Sequence, residues 1–220
     1  MALSESRVDL SRPTGVLFRT NVRMAIKPYD ERLDQLLRTA ADVFAAKGFH
    51  PTTMRDLARA TGMSLAGMYH YVAGKEELLF LIQRQCFENV YQGALHAVES
   101  ATGPTERLRA FIRHHVTFFA QHMSEMKVLS HEAGSLSGER ERPIIDLKRR
   151  YVDLLAGLIE ALDTPRDVRI AAYALFGMMN WIYTWYHTAG PLSAEELAEQ
   201  FTQLYLYGLQ APSTPVSPAG

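Results

Sequence analysis

The spacing of apolar residues along the chain constrains its fold more than any other feature. Between about residues 30 and 209, apolar side chains recur every three or four positions, and no useful stretch alternates apolar and polar residues. The first pattern is typical of helices with one buried face, and alternation is typical of strands. Gly, Pro and Ser residues interrupt the pattern at helix-length intervals. The sequence therefore predicts an all-α protein.

Composition limits the classes of protein that fit. The 220 residues include 23 Lys and Arg, 24 Asp and Glu, and 47% hydrophobic residues, which is ordinary for a globular chain. This balance argues against a protein that coats nucleic acid, but a small DNA-reading module can be hidden in the total. The one cysteine, Cys86, excludes an internal disulfide and a Cys-rich zinc site. The longest apolar run, residues 170–185, is short of the roughly 20 residues that cross a bilayer, so we expect a cytoplasmic protein without membrane contact.

Capping residues mark the helix boundaries. Thr53, with Asp56 three residues later, resembles a capping box, Gly62 ends that helix, and Ser64 caps the next. We predict helices at about residues 30–47, 54–61, 65–71, 75–98, 104–122, 125–133, 139–162, 165–188 and 193–209. Residues 1–28 lack helical spacing and are predicted to be a flexible basic arm. Residues 211–220, with three prolines, are predicted to be a disordered tail.

The most informative segment is residues 53–71, TMRDLARATGMSLAGMYHY. Two short helices that meet at a Gly-containing turn, the second one capped by Ser64, are typical of a helix-turn-helix. In that motif the second helix enters the DNA major groove, its first residues come near the base edges, and the first helix packs behind it. Unpaired N–H groups at a helix start also favour phosphate.

This region resembles the DNA-binding domain of the TetR-type (tetracycline-repressor-like) transcriptional regulators. The resemblance rests on the motifs FAAKGFHPTTMRDLA at 44–58, TGMSLAGMYHY at 61–71 and GKEELL at 74–79. It implies an N-terminal three-helix helix-turn-helix domain over residues 29–80, followed by a larger helical ligand-binding and dimerisation domain over residues 81–210. The residues that it implies contact DNA are Thr53, Arg55, Ser64, Leu65, Ala66, Gly67, Tyr69, His70 and Lys75.

Within this set, the resemblance implies that Thr53, Arg55 and Lys75 contact phosphate, while Tyr69 and His70 lie against the DNA backbone or a thymine methyl. Three positions depart from the family pattern. Leu65 stands where a polar or basic residue is common, Gly67 stands where a hydroxyl is frequent, and Val72 stands where an aromatic residue usually follows. Hydrogen-bond readout of bases is therefore expected to be limited, and DNA shape is expected to matter more.

The charges of residues 1–28 are compatible with two roles for the predicted arm. Residues 30–80 carry six basic and seven acidic side chains, a net charge of −1, whereas residues 1–28 carry five basic and two acidic ones. Arg19, Arg23 and Lys27 either add phosphate or minor-groove contacts or belong to a solvated tail without a role.

The second half follows the family in its helical layout. The helix predicted at 165–188 is apolar around most of its circumference, which implies more than one partner surface. In this family the last two helices form a four-helix bundle between two subunits, so we expect a homodimer through helices at about 165–188 and 193–209. The runs FGMMNWIYTWY at 176–186 and GPLSAEEL at 190–197 are similar to family members that sense fatty acyl-CoA or related thioesters. The alternative is that these aromatics form only core and interface.

An acyl-CoA needs an apolar cavity and cations for its phosphates. Phe and Met side chains between residues 111 and 129 suit a flexible apolar chain, and the basic residues of 140–150 suit phosphates. The simpler alternatives are core packing and a solvated helix face. The residues that we expect to bind the ligand are Phe111, His115, Phe118, Phe119, Met126, Arg149, Met178, Trp181 and Trp185.

The sequence thus predicts a homodimeric, ligand-responsive transcriptional repressor that binds double-stranded operator DNA and is released by a fatty or other bulky acyl-CoA. Within this class, the alternative is a drug- or toxicant-sensing repressor of an efflux system. The alternative from another class is an α-helical enzyme, but the sequence contains no Walker A, dinucleotide-glycine, GxSxG or kinase signature. No cofactor or metal is expected, since the eight histidines show no ligand spacing.

Overall fold

The computed structural model describes residues 28–132 and 134–210. These residues form nine α-helices, two short 3-10 helices and no strand, which confirms the predicted fold class. The α-helices are α1 (Pro28–Lys47), α2 (Met54–Thr61), α3 (Leu65–Tyr71), α4 (Lys75–Glu99), α5 (Pro104–Gln121), α6 (Met123–His131), α7 (Glu141–Glu160), α8 (Val168–Asn180) and α9 (Ala194–Gln210). The predicted tail and all of the predicted arm except residue 28 lie outside the described residues.

Helices α2 and α3 begin and end where predicted because their caps form. Thr53 Oγ1 accepts a hydrogen bond from Asp56 N at 3.2 Å, and Asp56 Oδ2 accepts one from Thr53 N at 3.0 Å. Gly62 ends α2 with φ of 68°, a left-handed conformation that suits glycine. Ser64 Oγ then accepts from Gly67 N at 3.0 Å at the start of α3. Local capping therefore fixes where both helices of the helix-turn-helix begin.

Helix α4 runs through two hydrophobic cores. Leu78 and Leu79 are fully buried in the N-terminal core together with residues of α1, α2 and α3. Val90 and Ala94 are buried in the C-terminal core, which α4 shares with α5 to α9. The predicted domain boundary between residues 80 and 81 falls inside this continuous 25-residue helix. The two domains are therefore joined by a shared helix rather than by a linker.

Residues of the second half complete the N-terminal core. Val128 of α6 and Ile144 of α7 are buried in the same cluster as Phe44 and Leu79. Helix α6 packs directly against α1. The position of the DNA-reading helices is therefore set in part by α6.

Helices α4 and α5 approach closely at Gly93. A Cβ atom at this position would lie 2.3 Å from His114 Cε1 and 2.7 Å from His114 Nε2. The imidazole is held there because its Nε2–H donates to Val90 O at 3.0 Å, and its ring lies against Phe118. A side chain at position 93 would therefore require the His114 imidazole to move.

All predicted helices agree with the structure to within two residues at each end except the one predicted at 165–188. Asp167 Oδ1 accepts from Ile170 N at 2.9 Å and caps the helix, so α8 begins three residues later than predicted. After Asn180 the backbone tightens into a 3-10 helix, Trp181–Thr184. The apolar run at 170–185 is thus split between two elements.

Among the described residues, no helix is long and apolar enough to cross a membrane.

Candidate nucleic-acid interface and ligand cavity

The outer side of α3 is the candidate DNA-binding surface. Met68 is fully buried in the core, so the opposite side of this short helix faces outward. The six predicted contact residues at its start and along it are exposed or half-buried: Ser64, Leu65, Ala66, Gly67, Tyr69 and His70. Tyr69 is 51% exposed. A large aromatic side chain exposed in this way suits contact with a DNA backbone or a thymine methyl.

The cap of α3 explains the glycine at position 67. A Cβ atom there would lie 3.1 Å from Ser64 Oγ, so a side chain would press on the cap. Ser64 Oγ accepts from Gly67 N, which leaves its own hydroxyl hydrogen to donate to a phosphate. The departure from the family pattern at position 67 is therefore compatible with an intact recognition helix.

The start of α2 presents Thr53 and Arg55, both exposed. Thr53 Oγ1 also donates to Asp56 Oδ2 at 2.7 Å, so its hydroxyl is engaged in the capping box. The hydrogen bond from the Thr53 side chain, followed by that from its backbone, lowers the pKa of Asp56. The Arg55 guanidinium extends from the same exposed turn, where it can meet a phosphate.

Replacing Thr53 by alanine is expected to lower the free energy of unfolding by about 1 kcal/mol, because the capping box is lost. Urea unfolding measures this change. Thr39→Ala on α1 serves as a control, since the Thr39 side chain accepts an exposed hydrogen bond from Gln35 on the same helix and caps no helix. The pKa of Asp56 is lower in the folded protein than in the unfolded chain. The stabilisation that its carboxylate gives to the folded state is therefore complete above about pH 4 and is lost as the pH falls below that value. Equal stability of variant and native protein at pH 7 would contradict the assignment.

The structure gives Lys75 contacts that the sequence did not predict. Its Nζ donates to Phe49 O at 3.1 Å, to His50 O at 2.8 Å and to Thr52 O at 3.2 Å. It also lies 4.6 Å from the centre of the Phe49 ring. An ammonium group has three donors, and all three are used by the loop 48–52 between α1 and α2. The predicted phosphate contact would require at least one of these bonds to break.

A cavity of about 550 Å³ lies between α4, α5, α6, α7 and α8. This volume is typical of small-molecule sites. Its wall is mostly apolar and aromatic. The lining residues are Gln83, Phe87, Val90, His115, Met126, Leu129, Ser130, Ile144, Ile145, Lys148, Tyr151, Val152, Tyr173, Phe176, Gly177, Asn180, Trp181 and Tyr183.

Three of the nine predicted ligand residues line this cavity, namely His115, Met126 and Trp181. Phe111 and Phe119 do not, because both are fully buried in the C-terminal core. The Phe111 ring lies behind the wall, 5.1 Å from that of Tyr151. Phe111 therefore supports the cavity without facing it.

The other four predicted ligand residues also lie elsewhere. Phe118 lines a smaller crevice beside α1. Met178 follows Gly177 on α8 and is turned away from the cavity, because successive helical residues point about 100° apart. Trp185 lies beyond the 3-10 helix and packs against Phe201. Arg149 is exposed and pairs with Asp146 at 3.2 Å.

A neutral polar group is part of the cavity wall and consists of His115, Tyr151 and Asn180. His115 Nδ1 lies 2.9 Å from Tyr151 Oη, and its Nε2 lies 3.2 Å from Asn180 Oδ1. Burial lowers the pKa of His115 to about 3 and raises the pKa of Tyr151 well above its usual value. All three side chains are therefore uncharged at neutral pH. Sequence analysis missed Tyr151 and Asn180, although an asparagine inside an apolar run signals a buried hydrogen-bond partner.

Lys148 supplies the charge at the cavity. It is exposed and, apart from the neutral His115, is the only basic residue lining the described wall. Of the basic residues at 140–150, only Lys148 lines this cavity, because helical geometry turns neighbouring residues apart. Arg142 and Arg150 line a separate groove that includes Phe80 of α4.

A third feature is an apolar face on α8, the following 3-10 helix and α9. Its large side chains are 47–73% exposed: Ile170, Tyr173, Trp181, Trp185, Leu204 and Tyr207. Residues 170, 173 and 177 follow one side of α8, and Trp181 begins the 3-10 helix that follows. Several large apolar side chains exposed on neighbouring elements are typical of an interaction site. We refer to it below as the apolar face.

Two family models match the chain. Residues 36–82 match the family described as bacterial regulatory proteins, tetR family, and residues 101–209 match the tetracyclin repressor-like C-terminal domain. The first match covers the whole helix-turn-helix. The second covers α5 to α9 with all of the residues that line the cavity except three, Gln83, Phe87 and Val90 of α4.

Individual proteins of known structure or function are similar in sequence to most of this chain. The HTH-type transcriptional repressor KstR2 of Mycobacterium tuberculosis is 27% identical over 188 residues, which cover 82% of this chain and 94% of KstR2. The HTH-type transcriptional regulator BetI of Rhizobium meliloti is 30% identical over 157 residues, with 69% and 76% covered. A crystal structure of AibR in complex with isovaleryl coenzyme A and operator DNA is 31% identical, has a TM-score of 0.72, and covers 79% of this chain and 97% of that one. The chain therefore belongs to the TetR family and is a DNA-binding transcriptional regulator, not an enzyme.

Proposed function

We propose that this protein is a homodimeric repressor that binds operator DNA through α3 and is released by a fatty or other bulky acyl-CoA. The observation that carries the proposal is the composition of the cavity wall. Apolar and aromatic side chains form most of it, the neutral polar group of His115, Tyr151 and Asn180 is part of it, and Lys148 lies at its exposed side. Each of these parts matches one part of an acyl-CoA.

The apolar part of the wall suits an acyl chain. Met126 and Leu129 of α6 and Ile144 and Val152 of α7 all line the cavity. Methionine adapts to apolar chains of different shape. This supports a flexible apolar ligand without fixing its length.

The polar group suits the carbonyl of a thioester. A neutral His115 carries one N–H, so it donates to one neighbour and accepts from the other. Because Asn180 Oδ1 can only accept, the N–H lies on Nε2 and donates to Asn180, while Nδ1 accepts from the Tyr151 hydroxyl. The amide hydrogens of Asn180 are then left for a ligand carbonyl, and no charge is involved.

The charge of the wall separates the candidate ligands. The acyl part of a thioester is neutral and can enter without burying a charge. A free fatty acid would bring a carboxylate into a site whose one cation, Lys148, lies at the exposed side. A drug-like cation would meet no carboxylate, because none of the lining residues described is Asp or Glu. The wall therefore favours an acyl-CoA over the efflux alternative, and AibR, which binds isovaleryl coenzyme A, is a relative with this chemistry.

The dimer is supported by the apolar face. Two recognition helices read one operator only if they reach successive major grooves, about 34–36 Å apart or a multiple of that distance. The apolar face lies on the helices that we expect to form the dimer contact. A ligand that favours another spacing of the two recognition helices lowers operator affinity through its differential affinity for the two states.

Acyl-CoAs of several chain lengths are expected to release the native protein from a duplex that it selects from a random-sequence library. Coenzyme A alone and the free acids are expected to leave the complex intact, because the first lacks the acyl chain and the second bring a buried charge. Fluorescence anisotropy of the labelled duplex measures the release. Release by free acids or drug-like cations, with acyl-CoAs inert, would overturn the proposal in favour of an efflux repressor.

Lys148 and Arg149 offer a matched pair of variants for the same assay. Lys148→Glu is expected to raise the acyl-CoA concentration needed for half-release about tenfold, since one phosphate contact becomes repulsive. Arg149→Glu makes the same charge change one residue later, on a side chain that does not line the cavity, and is expected to change this concentration little. Equal effects of the two variants would show that the charge acts at a distance rather than at the cavity.

A further inference from the structure

A continuous set of hydrogen bonds joins the cavity wall to the loop before α2. Gln83 of α4 lines the cavity, and its Nε2 donates to Glu132 O at 3.0 Å. Glu132 directly follows α6, and its Oε1 accepts from Phe49 N at 3.1 Å. Two hydrogen bonds through one residue thus connect the ligand cavity with the loop 48–52.

The Glu132 carboxylate is held firmly at this junction. Its second oxygen accepts from Ser135 Oγ at 2.6 Å, and Ser135 Oγ lies 3.3 Å from His50 Nε2. Burial alone raises the pKa of Glu132, but the hydrogen bonds from Ser135 and from the Phe49 amide outweigh it and bring the pKa below its usual value. The group is therefore an ionised acceptor at neutral pH, which strengthens its bond to Phe49.

The loop that Glu132 holds leads directly into the helix-turn-helix. Thr52 is buried, and its hydroxyl donates to Gly48 O at 2.7 Å, which closes the loop on itself. Lys75 binds three carbonyls of the same loop from α4. The next residue, Thr53, is the N-cap of α2. A displacement of the loop therefore moves the start of α2 and the start of α4, the two helices that flank α3 in the chain.

The Gln83 side chain is poorly satisfied at the cavity end. Its amide orientation is fixed, because the Glu132 carbonyl only accepts and must face the NH₂ group. Its Oε1 is buried, and no donor in the described ranges 28–132 and 134–210 bonds to it. The buried amide is thus held by one hydrogen bond, whereas a buried amide usually makes more. Such a side chain shifts more readily than one with all its bonds made.

We propose that Gln83 and Glu132 are positioning residues that pass the occupancy of the cavity to the DNA-binding helices. A ligand that shifts the Gln83 amide removes its bond to Glu132 O, the end of α6 moves, and the carboxylate withdraws from Phe49. The loop 48–52 is then held only by Lys75 and its own bonds, and α2 loses its fixed position. This inference deepens the proposed function, because it rests on the cavity being the effector site.

The variant Gln83→Met removes the bond to Glu132 and keeps a similar side-chain volume. Amide hydrogen exchange of residues 48–52, measured by mass spectrometry on the full chain, is expected to be about tenfold faster. Affinity for the selected duplex is expected to be about tenfold weaker. The Tm is expected to stay unchanged or to rise, because an unsatisfied buried acceptor is removed as well. The control is Thr117→Ala on α5, which does not line the cavity. Among the described residues its hydroxyl bonds to Arg113 O and His114 O of its own helix, so exchange and affinity are expected to stay unchanged.

A second variant tests whether the two residues act in series. Glu132→Ala is expected to reproduce the faster exchange of the loop, and the double variant with Gln83→Met is expected to be no worse than Glu132→Ala alone. Additive losses, native exchange in Gln83→Met, or loss of duplex affinity only in proportion to a lowered Tm would each overturn the proposal. None of these measurements uses an effector. An inert panel of acyl-CoAs would therefore overturn the proposed effector class and leave this result unaffected.

Discussion

The double substitution Leu204→Glu with Tyr207→Glu is expected to convert the protein into a monomer and to weaken operator binding by at least ~100-fold. Both side chains lie on the exposed side of α9, 65% and 73% exposed, and neither belongs to the buried C-terminal core. In a symmetric dimer each residue occurs twice, so the change places four carboxylates in one contact. Separated protomers also lose the simultaneous binding of two half-sites, an advantage of about 10²–10⁴ in affinity.

Sedimentation velocity at micromolar concentration and anisotropy with the selected duplex measure these two effects together. The control is Leu204→Met with Tyr207→Phe, which keeps the apolar face and is expected to remain dimeric with native affinity. Neither position lines the cavity. A glutamate variant that sediments as a dimer and binds operator normally would place the dimer contact elsewhere.

The substitution Lys75→Met is expected to lower the free energy of unfolding by about 2 kcal/mol, since three carbonyls lose a charged donor. It is also expected to weaken operator binding by about tenfold, because the loop 48–52 no longer holds the start of α2. In the structure the ammonium binds carbonyls of that loop. The slope of log affinity against log salt concentration is therefore expected to stay at its native value, whereas loss of a phosphate contact would reduce it by about one unit.

Urea unfolding and duplex binding at several salt concentrations distinguish these outcomes. Tyr69→Ala is the comparison, because Tyr69 is exposed on α3 and its loss is expected to weaken binding without changing stability. If Lys75→Met kept native stability and reduced the salt slope by one unit, the phosphate role implied by the family resemblance would be correct and the loop would not depend on Lys75.

The parts of the fold that sequence analysis located well are those fixed by neighbours in the sequence. Thr53 with Asp56, and Ser64 with Gly67, form caps over three residues, so their pattern and their geometry coincide. The start of the helix predicted at 165–188 was wrong because Pro165 and Asp167 are both acceptable starts, and only the hydrogen bond to Ile170 decides between them.

The cavity was harder to predict because its wall is assembled from five helices. His115 and Phe119 lie one turn apart on α5, yet one lines the cavity and the other is core. The position of Gln83 in the cavity wall could not be predicted, since a glutamine on a long helix is usually solvated. The family resemblance implies a phosphate contact for Lys75, and its contacts with the loop could not be predicted because these partners lie 23 to 26 residues away in the sequence.

The close contact of α4 with α5 at Gly93 has an evolutionary consequence. The imidazole of His114 occupies the volume that a side chain at position 93 would need, since a Cβ atom there would lie 2.3 Å from His114 Cε1. A single substitution at position 93 is therefore disfavoured while His114 is present, and it becomes acceptable once position 114 has changed to a smaller residue. The two sites do not drift independently, and the order of their changes matters. Among descendants of this protein, a side chain at 93 should be found together with the loss of histidine at 114.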